Sequence, residues 1–176
     1  TEALLLGAKN VIGTDNSERA ITDTKKNVEW IIKQNGLQTT DYRLQFSTLP
    51  VENLSRNIKL NSIDKIVTEP YLGKPLKGNE KYEVLVQQAN DLKNLYLHAF
   101  AEFKKVLKSG GEVVFVIPCF KQGKDWIKIN MEEKLSRLGF KNEPLLTLTD
   151  KKYPFILYSR VDQKVGREIW RFTLDK

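Results

Sequence analysis

The residues best suited to chemistry form the short stretch Glu69-Pro70-Tyr71, which follows the β-branched run Ile63–Thr68. Such a run is typical of a buried parallel strand, and proline ends it. Ligands of open α/β sheets bind just outside the carboxyl ends of the strands, which is where these three residues would stand. A carboxylate, a carbonyl fixed by proline and an aromatic ring can together orient a planar amino group for attack or methylation. Taken alone, the tripeptide favours a second interpretation, an ordinary strand-exit loop with a solvated acid; its position after a buried strand and its agreement with other motifs of the chain favour the functional one.

A second acid, Asp15, ends another predicted strand, Asn10–Asp15. Apolar residues at helical spacing predict a helix directly after this strand, and Asp15, Asn16 or Ser17 can cap it. Asp15 therefore has two interpretations. It is a helix cap, or it is a carboxylate that accepts hydrogen bonds from a ribose diol, as in nucleotide-binding α/β folds.

The rest of the chain alternates strands with helices and then changes to strands alone. The pattern predicts a strand at Tyr42–Phe46 with the loop Ser47–Pro50, a long helix from Leu85 to Val106, a buried strand at Glu112–Pro118, a helix over 125–138, and strands at 145–148, 155–158 and 169–174. This order describes a parallel sheet finished by antiparallel strands. We expect an α/β fold and a single domain spanning residues 1–176.

The composition bounds the partners of the chain. It has 29 Lys+Arg and 22 Asp+Glu, a net charge of +7, which is typical of proteins that bind nucleic acid but is also found in small basic proteins that do not. The single cysteine, Cys119, excludes an internal disulfide, and the single histidine, His98, excludes a His-rich metal site. With no membrane-spanning apolar run and no signal peptide, we expect a cytoplasmic protein without a metal or a membrane partner.

Two groups of basic residues are candidates for contact with a nucleic-acid backbone. They are Lys74 and Lys77, in the loop after the Glu69 stretch, and Arg160, Lys164 and Arg167, in the tail. Residues 151–176 contain seven Lys/Arg and three Asp/Glu, and such a strip can follow RNA phosphates. Solvated loop lysines and charged edge strands, which discourage aggregation, explain the same residues equally well.

The order and spacing of three segments resemble the successive motifs of class I S-adenosylmethionine-dependent methyltransferases. The segments are Asn10–Asn27, Ile63–Gly73 and Leu107–Val114. The loop Thr68–Gly73, together with the tail Tyr158–Ile169, is similar to the tRNA guanine-10 N2-methyltransferase group of RNA methylases. The resemblance extends over nearly the whole chain. It implies a Rossmann-like sheet, mostly parallel with antiparallel C-terminal strands.

The resemblance also implies a cofactor, a substrate and roles for residues. The cofactor is S-adenosyl-L-methionine, the substrate is RNA, most simply tRNA, and the reaction is N2-methylation of a guanine. Glu69 and the carbonyl of Pro70 would each accept an N–H of the amine, and Tyr71 would stack on the base. The implied cofactor residues are Asp15, Asn16, Ser47, Thr48 and Glu69; the implied RNA contacts are Lys74, Lys77, Arg160, Lys164 and Arg167.

The chain departs from the family pattern at two places. The family usually has Asp or Asn, two prolines and an aromatic residue, whereas here Glu69 replaces the acid and Pro70 is the only proline. Tyr71 thus takes the aromatic place early or fills the second proline's place. At the end of the third strand, where such enzymes often have an acid near the adenine, this chain has Ser47 and Thr48.

Family members also have a first strand and a glycine-rich cofactor loop before the point at which this sequence begins. Thr1–Gly7 resembles the helix after that loop, so the resemblance implies an N-terminally truncated fragment whose sheet lacks its first strand. Self-association through the resulting gap is one way to pair the exposed strands. Two other functions stay open: an amino-methyltransferase of DNA (adenine N6 or cytosine N4), and an inactive truncated domain that binds only RNA or a partner.

Overall fold

A computed structural model describes residues 1–148 and 151–175. The contacts of the chain fall into two compact units, Thr1–Leu54 and Ser55–Lys176. The single domain predicted for residues 1–176 stays a prediction. Among the described helices, none has both the length and the apolar character needed to cross a membrane.

The first unit consists of a parallel strand pair with a helix between its strands. Its elements are α1 (Glu2–Leu5), β1 (Asn10–Asp15), α2 (Glu18–Gln34), a 3-10 turn (Thr39–Asp41), β2 (Arg43–Thr48) and a second 3-10 turn (Val51–Asn53). β1 and β2 pair in register from Asn10 opposite Arg43 to Asp15 opposite Thr48. α2 buries Ile21 and Val28, which recur at helical spacing along its apolar face.

The second unit contains a sheet with one long helix packed against it. Its elements are α3 (Leu54–Asn57), β3 (Ile63–Thr68), α4 (Tyr82–Val106), β4 (Leu107–Gln122), β5 (Asp125–Ile127), α5 (Glu132–Arg137), β6 (Phe140–Glu143), β7 (Leu146–Leu148), β8 (Lys151–Tyr153), β9 (Phe155–Tyr158) and β10 (Val165–Leu174). The strand order is β3-β4-β10-β6, with β5 beside β4 and β9 beside β10, and β7 pairs with β8 separately.

Strand direction follows the predicted division of the chain. β3 and β4 are parallel, whereas β5, β6, β9 and β10 run antiparallel to their neighbours. The α/β fold class, with parallel strands followed by antiparallel C-terminal strands, is therefore confirmed. Within residues 1–148 and 151–175, β1 and β3 each have one edge without a strand partner.

The core of the second unit lies between α4 and one face of the sheet. Phe100 of α4 is fully buried, and its ring centroid lies 5.0 Å from those of Phe115 on β4 and Phe140 on β6. Phe172 of β10 meets Phe100 edge to face at 5.4 Å. Such edge-to-face pairs add to the stabilisation from apolar burial. This cluster fixes α4 on the sheet, and α4 in turn supports the loop after β3.

The helix predicted over residues 125–138 is wrong in its first part. Asp125–Ile127 form β5, which turns back at Gly123 and pairs antiparallel with the end of β4, and α5 begins only at Glu132. Ile127, Met131 and Leu135 do recur at helical spacing, but cross-strand pairing of Phe120 with Ile127 outweighs that local pattern. The correction places Trp126 in a hairpin instead of a helix.

Candidate functional site

The first unit brings together four residues that the sequence predicts as cofactor contacts. Asp15 lies opposite Thr48 at the carboxyl ends of β1 and β2, and Ser47 is in the preceding register position. Asn16 follows directly, and all four are exposed. The main-chain N–H of Leu49 donates to the carbonyl of Asp15 at 2.8 Å, which holds the two strand exits side by side.

The helix cap after β1 is Ser17, not Asp15. The Ser17 hydroxyl accepts a hydrogen bond from the N–H of Ala20, and Asp15 Oδ1 accepts one from the N–H of Ser17 at 2.7 Å. This bond orients the Asp15 carboxylate. Its second oxygen has no hydrogen-bond partner among the residues that the structure describes, so it can accept a hydroxyl group of a ligand.

In the second unit, Glu69 is paired with Arg167. Arg167 Nε on β10 donates to Glu69 Oε1 at 2.7 Å, across a separation of 98 positions in the sequence. The Glu69 side chain is 50% exposed and that of Arg167 is 31% exposed. The sequence assigned these two residues to different tasks, the amine and the RNA backbone, and no sequence pattern links them. The pair orients the Glu69 carboxylate while leaving it open to solvent.

The main chain after Glu69 is anchored by a hydrogen bond from α4. The hydroxyl of Tyr96 donates to the carbonyl of Tyr71 at 2.7 Å, and Tyr96 is completely buried. Burial, with a smaller contribution from Tyr71, raises the pKa of Tyr96, so its hydroxyl remains a neutral donor. The Tyr71 side chain itself is 59% exposed, and Pro70 is half-buried. The loop therefore has a fixed backbone and a free aromatic ring.

The lysine loop that continues from Tyr71 is also held in place. The N–H of Lys74 donates to Gln88 Oε1 on α4, and the carboxylate of Glu80 accepts the N–H groups of Lys77 and Gly78. These bonds from the loop backbone lower the pKa of Glu80. Lys74 and Lys77 are both exposed.

The tail returns to the same loop. A β-carbon at Gly78, where φ is +97°, would lie 2.8 Å from Cε of Lys164, so the Lys164 side chain packs directly over this glycine. The tail residue Lys164 thus lies beside the part of the loop that contains Lys77. Arg160, also in the tail, is exposed and donates from Nε to the hydroxyl of Tyr158 at 3.1 Å.

Sequence reasoning also missed an open cleft of about 630 Å³ beside the start of α4. We call it the α4–β5 cleft. Its lining residues are Tyr82, Val86, Ala89, Asn90, Gln122, Asp125, Trp126, Ile127, Lys128 and Asn130. The cleft was not predicted because residues 125–138 were predicted as a helix instead of a hairpin followed by a shorter helix. The sequence feature that indicates the hairpin is the Gln-Gly-Lys-Asp turn at residues 122–125.

Metal ligands are not grouped in the described part of the chain, where no three His, Cys, Asp or Glu side chains lie close enough to hold an ion. Cys119 is buried. Burial, and then the charge of Glu168, raise the pKa of its thiol to about 11, so this cysteine is not a reactive thiolate at neutral pH.

Comparison with known proteins gives matches at the level of structure. The sequence matches no protein-family model, and no curated protein sequence matches it either. NSun6 from Pyrococcus horikoshii, solved with SFG, has a TM-score of 0.62 at 17% identity over 98% of this chain and 43% of its own. An rRNA methylase from Streptococcus thermophilus has a TM-score of 0.53 at 15% identity over 99% and 81%.

A third structure, the [4+2]-cyclase SpnF, has a TM-score of 0.57 at 13% identity over 98% of this chain and 70% of its own. The fold of the chain is thus that of class I methyltransferases, and SpnF illustrates that the fold alone does not determine the reaction. The chain spans about half the length of the first solved structures that it matches.

Proposed function

We propose that this chain is the catalytic part of an S-adenosyl-L-methionine-dependent methyltransferase that acts on an amino group of RNA, most simply N2 of a guanine in tRNA. The observation that carries the proposal is the loop after β3. It combines an oriented, half-exposed carboxylate on Glu69, an anchored backbone at Tyr71 and a free Tyr71 ring. Resemblance to the folds of NSun6 and an rRNA methylase supports the reaction class.

The cofactor would supply an electrophilic methyl group. In the first unit, the unpartnered oxygen of Asp15 fits the diol of a ribose, because an oriented carboxylate accepts two hydroxyl donors well. Asn16 is adjacent, and Ser47 and Thr48 would contact the adenine through hydroxyl and backbone groups. We assign these four residues to the nucleoside part of S-adenosyl-L-methionine.

The amine is activated by hydrogen bonding. The lone pair of a guanine amino group is delocalised into its ring, so the nitrogen must be held with its lone pair directed at the methyl carbon. Glu69 would accept one N–H and the Pro70 carbonyl the other. Both would stabilise the positive charge that develops on nitrogen as the N–C bond forms and the bond between the methyl carbon and the cofactor sulfur breaks, with S-adenosylhomocysteine as the leaving group. The proton then lost from nitrogen passes to Glu69 or to water. Tyr71 would stack on the base, which must leave its helix to reach the loop.

Arg167 has a different role in this scheme from the one that the sequence suggested. Because its Nε donates to Glu69, Arg167 positions the carboxylate instead of acting first as a phosphate contact. It also restricts the side-chain rotamers of Glu69, which lowers the entropy lost when the amine binds. Lys74, Lys77, Arg160 and Lys164 remain the proposed RNA contacts.

The test is transfer of a labelled methyl group by the complete natural protein to tRNA and, in parallel, to duplex DNA. We expect transfer to tRNA, and expect Glu69→Gln to lower kcat by about 100-fold because one charged acceptor at the amine is lost. Asp64→Asn is the matched control, since Asp64 is an exposed acid on β3, the strand that precedes Glu69, and is paired with Lys108. Unchanged kcat in Glu69→Gln would refute the assigned role, and transfer to DNA alone would favour a DNA amino-methyltransferase.

A second candidate is a domain that binds RNA without catalysing transfer. The Glu69–Arg167 pair favours it, because one carboxylate oxygen already has a partner. Calorimetry separates the two functions: tight RNA binding without any heat of S-adenosyl-L-methionine binding would support the binding-only domain.

A further inference from the structure

We propose that the α4–β5 cleft binds an unpaired base of the RNA strand, beside the base that is methylated, while lysines around the cleft contact the neighbouring phosphates. This inference rests on the proposed function, because it takes RNA as the substrate. It assigns a second nucleotide site to a surface outside the Glu69 loop.

The size of the cleft fits a single nucleotide. Its volume of about 630 Å³ lies within the range of small-molecule sites, and it is open on one side, so a base can enter while its sugar and phosphate stay in solvent. A base held in this way needs a flat apolar surface and a few polar groups at its edges.

Two aromatic side chains supply the flat surface. Tyr82 begins α4 and is 56% exposed, although it lines a concave surface. Trp126 is half-buried, and a β-carbon at Gly166 would lie 3.1 Å from its ring, so the indole rests directly on the β10 backbone and is held still. Stacking on such rings tolerates any base, because every base presents a π face.

Polar groups surround the two rings. Asn90 and Asn130 are exposed at the cleft, with Gln122 and Asp125 on the hairpin. Amide groups donate and accept at once, and can therefore pair with the Watson–Crick edge of an unstacked base.

Three lysines are adjacent in the sequence to residues that line the cleft: Lys81, Lys121 and Lys124. None of the three has an ion pair among the described residues. The cleft lysine that is neutralised is Lys128, whose Nζ lies 2.9 Å from the buried Glu168 carboxylate and 4.7 Å from the centre of the Phe155 ring. Asp125 adds one acidic group to the lining. Aromatic side chains in the lining with cations next to them favour a nucleotide over an acidic peptide, because a peptide backbone does not stack on the rings.

The cleft and the Glu69 loop share one support. α4 lines the cleft with Tyr82, Val86 and Ala89, and the same helix anchors the loop through Gln88 and Tyr96. Residues 70–81, which connect Glu69 to the cleft, are held along their length by these bonds and by Glu80. The two proposed sites are therefore connected by one helix and one anchored loop.

The experiment compares a ten-nucleotide uridine RNA with an abasic RNA of the same length and charge, by fluorescence anisotropy on the complete protein. The phosphates of both contact the lysines, whereas only the first can stack. We expect the protein to prefer the uridine RNA by about tenfold. Tyr82→Ala should remove most of that preference and leave the abasic affinity unchanged, and Tyr82→Phe should restore it.

Two matched variants control for surface and charge. Trp30→Ala removes a 60% exposed aromatic from α2 and should keep the full preference. The double variant Lys121→Gln with Lys124→Gln should lower the affinity for both RNAs to the same extent. It should also lower the number of counterions released on binding, read from the salt dependence, by up to about two. Circular dichroism checks that each variant is folded. Because Tyr82 is exposed, its replacement by alanine should not unfold the protein.

Equal affinity for the two RNAs in the unaltered protein, or a full preference in Tyr82→Ala, would overturn the inference. The outcomes also separate the two proposals. A base preference that depends on Tyr82, without methyl transfer, would support the cleft assignment and contradict the proposed function. Methyl transfer with an unchanged KM for RNA in Tyr82→Ala would support the proposed function and contradict the cleft assignment.

Discussion

Glu102 of the second unit is a buried carboxylate with hydrogen-bond donors for both of its oxygens. It is only 8% exposed, and it accepts hydrogen bonds from the Ser55 N–H and from Lys105. Burial raises the pKa of Glu102, but these hydrogen bonds outweigh burial and lower it to about 2. The contact ties the start of α3 to α4.

The lowered pKa predicts acid sensitivity. Because the folded pKa lies below the ordinary value of 4.5, ionised Glu102 stabilises the protein above about pH 4.5, and this stabilisation is lost as pH falls toward 2. Glu102→Gln should lower the free energy of unfolding on the order of 1 kcal/mol at pH 7, with a smaller difference from the unaltered protein at pH 3. Urea denaturation at both pH values measures this. A difference that stays constant with pH would contradict it.

The Glu69–Arg167 pair marks what sequence can and cannot predict about a site. Glu69 was identifiable because it directly follows a β-branched strand and precedes proline. Its partner lies 98 positions away on β10, and only the order of strands in the sheet brings Arg167 over β4 to meet it. The role of Ser17 as the cap is a similar case, since three adjacent residues had suitable side chains and only geometry chose among them.

At the scale of elements, strong periodic patterns predicted most of the structure. α4 and β4 were identifiable from their continuous apolar faces. The strand predicted at residues 155–158 has the same bounds as β9, Phe155–Tyr158. β5 was not, because a three-residue strand has too few residues for a period and depends on β4 for its pairing. The α4–β5 cleft was lost with it. Short elements that depend on tertiary partners are where local sequence fails.

The edge of β3 has a further consequence. Val67 is 76% exposed on a strand that has no partner on one side among the described residues, and such apolar edges promote pairing between chains. We propose that this chain, prepared alone, self-associates through β3. Val67→Lys should reduce the associated fraction, measured by sedimentation velocity across a range of concentrations. Val84→Lys, which places the same charge on a 55% exposed valine of α4, should leave it unchanged. If the two variants reduced the associated fraction equally, the reduction would be due to the added net charge and not to the β3 edge.

For the whole molecule, the net charge of +7 was a weak indication of nucleic-acid binding, since it does not say where the charge lies. The structure adds a distribution: Lys164 packs on the lysine loop at Gly78, while Lys128 and Arg167 are neutralised by carboxylates. Basic residues of one sequence therefore divide into those paired with a carboxylate, such as Lys128 and Arg167, and those without an ion pair among the described residues, such as Lys164.

The stability of the whole molecule offers a measure of cofactor binding that needs no RNA. A ligand that binds only the folded state at 100 times its Kd stabilises that state by about 2.7 kcal/mol. For a chain of this size that is a rise in Tm of roughly 5–10 °C. We expect S-adenosyl-L-methionine to raise the Tm of the complete protein by this amount. Asp15→Asn should abolish most of the rise, because the amide replaces a charged acceptor for the ribose hydroxyls.

Asp23→Asn is the control for Asp15→Asn. Asp23 is an exposed acid on the neighbouring helix α2, and within residues 1–148 and 151–175 its one ion pair is with Arg19 at 3.7 Å. Its replacement should therefore leave the rise in Tm intact. The Tm without cofactor corrects for any structural cost, since Asp15 also accepts the Ser17 N–H and its replacement weakens the start of α2. If Asp15→Asn lowered the Tm with and without cofactor by the same amount, Asp15 would be a structural residue, and the nucleoside site would have to be sought elsewhere in the protein.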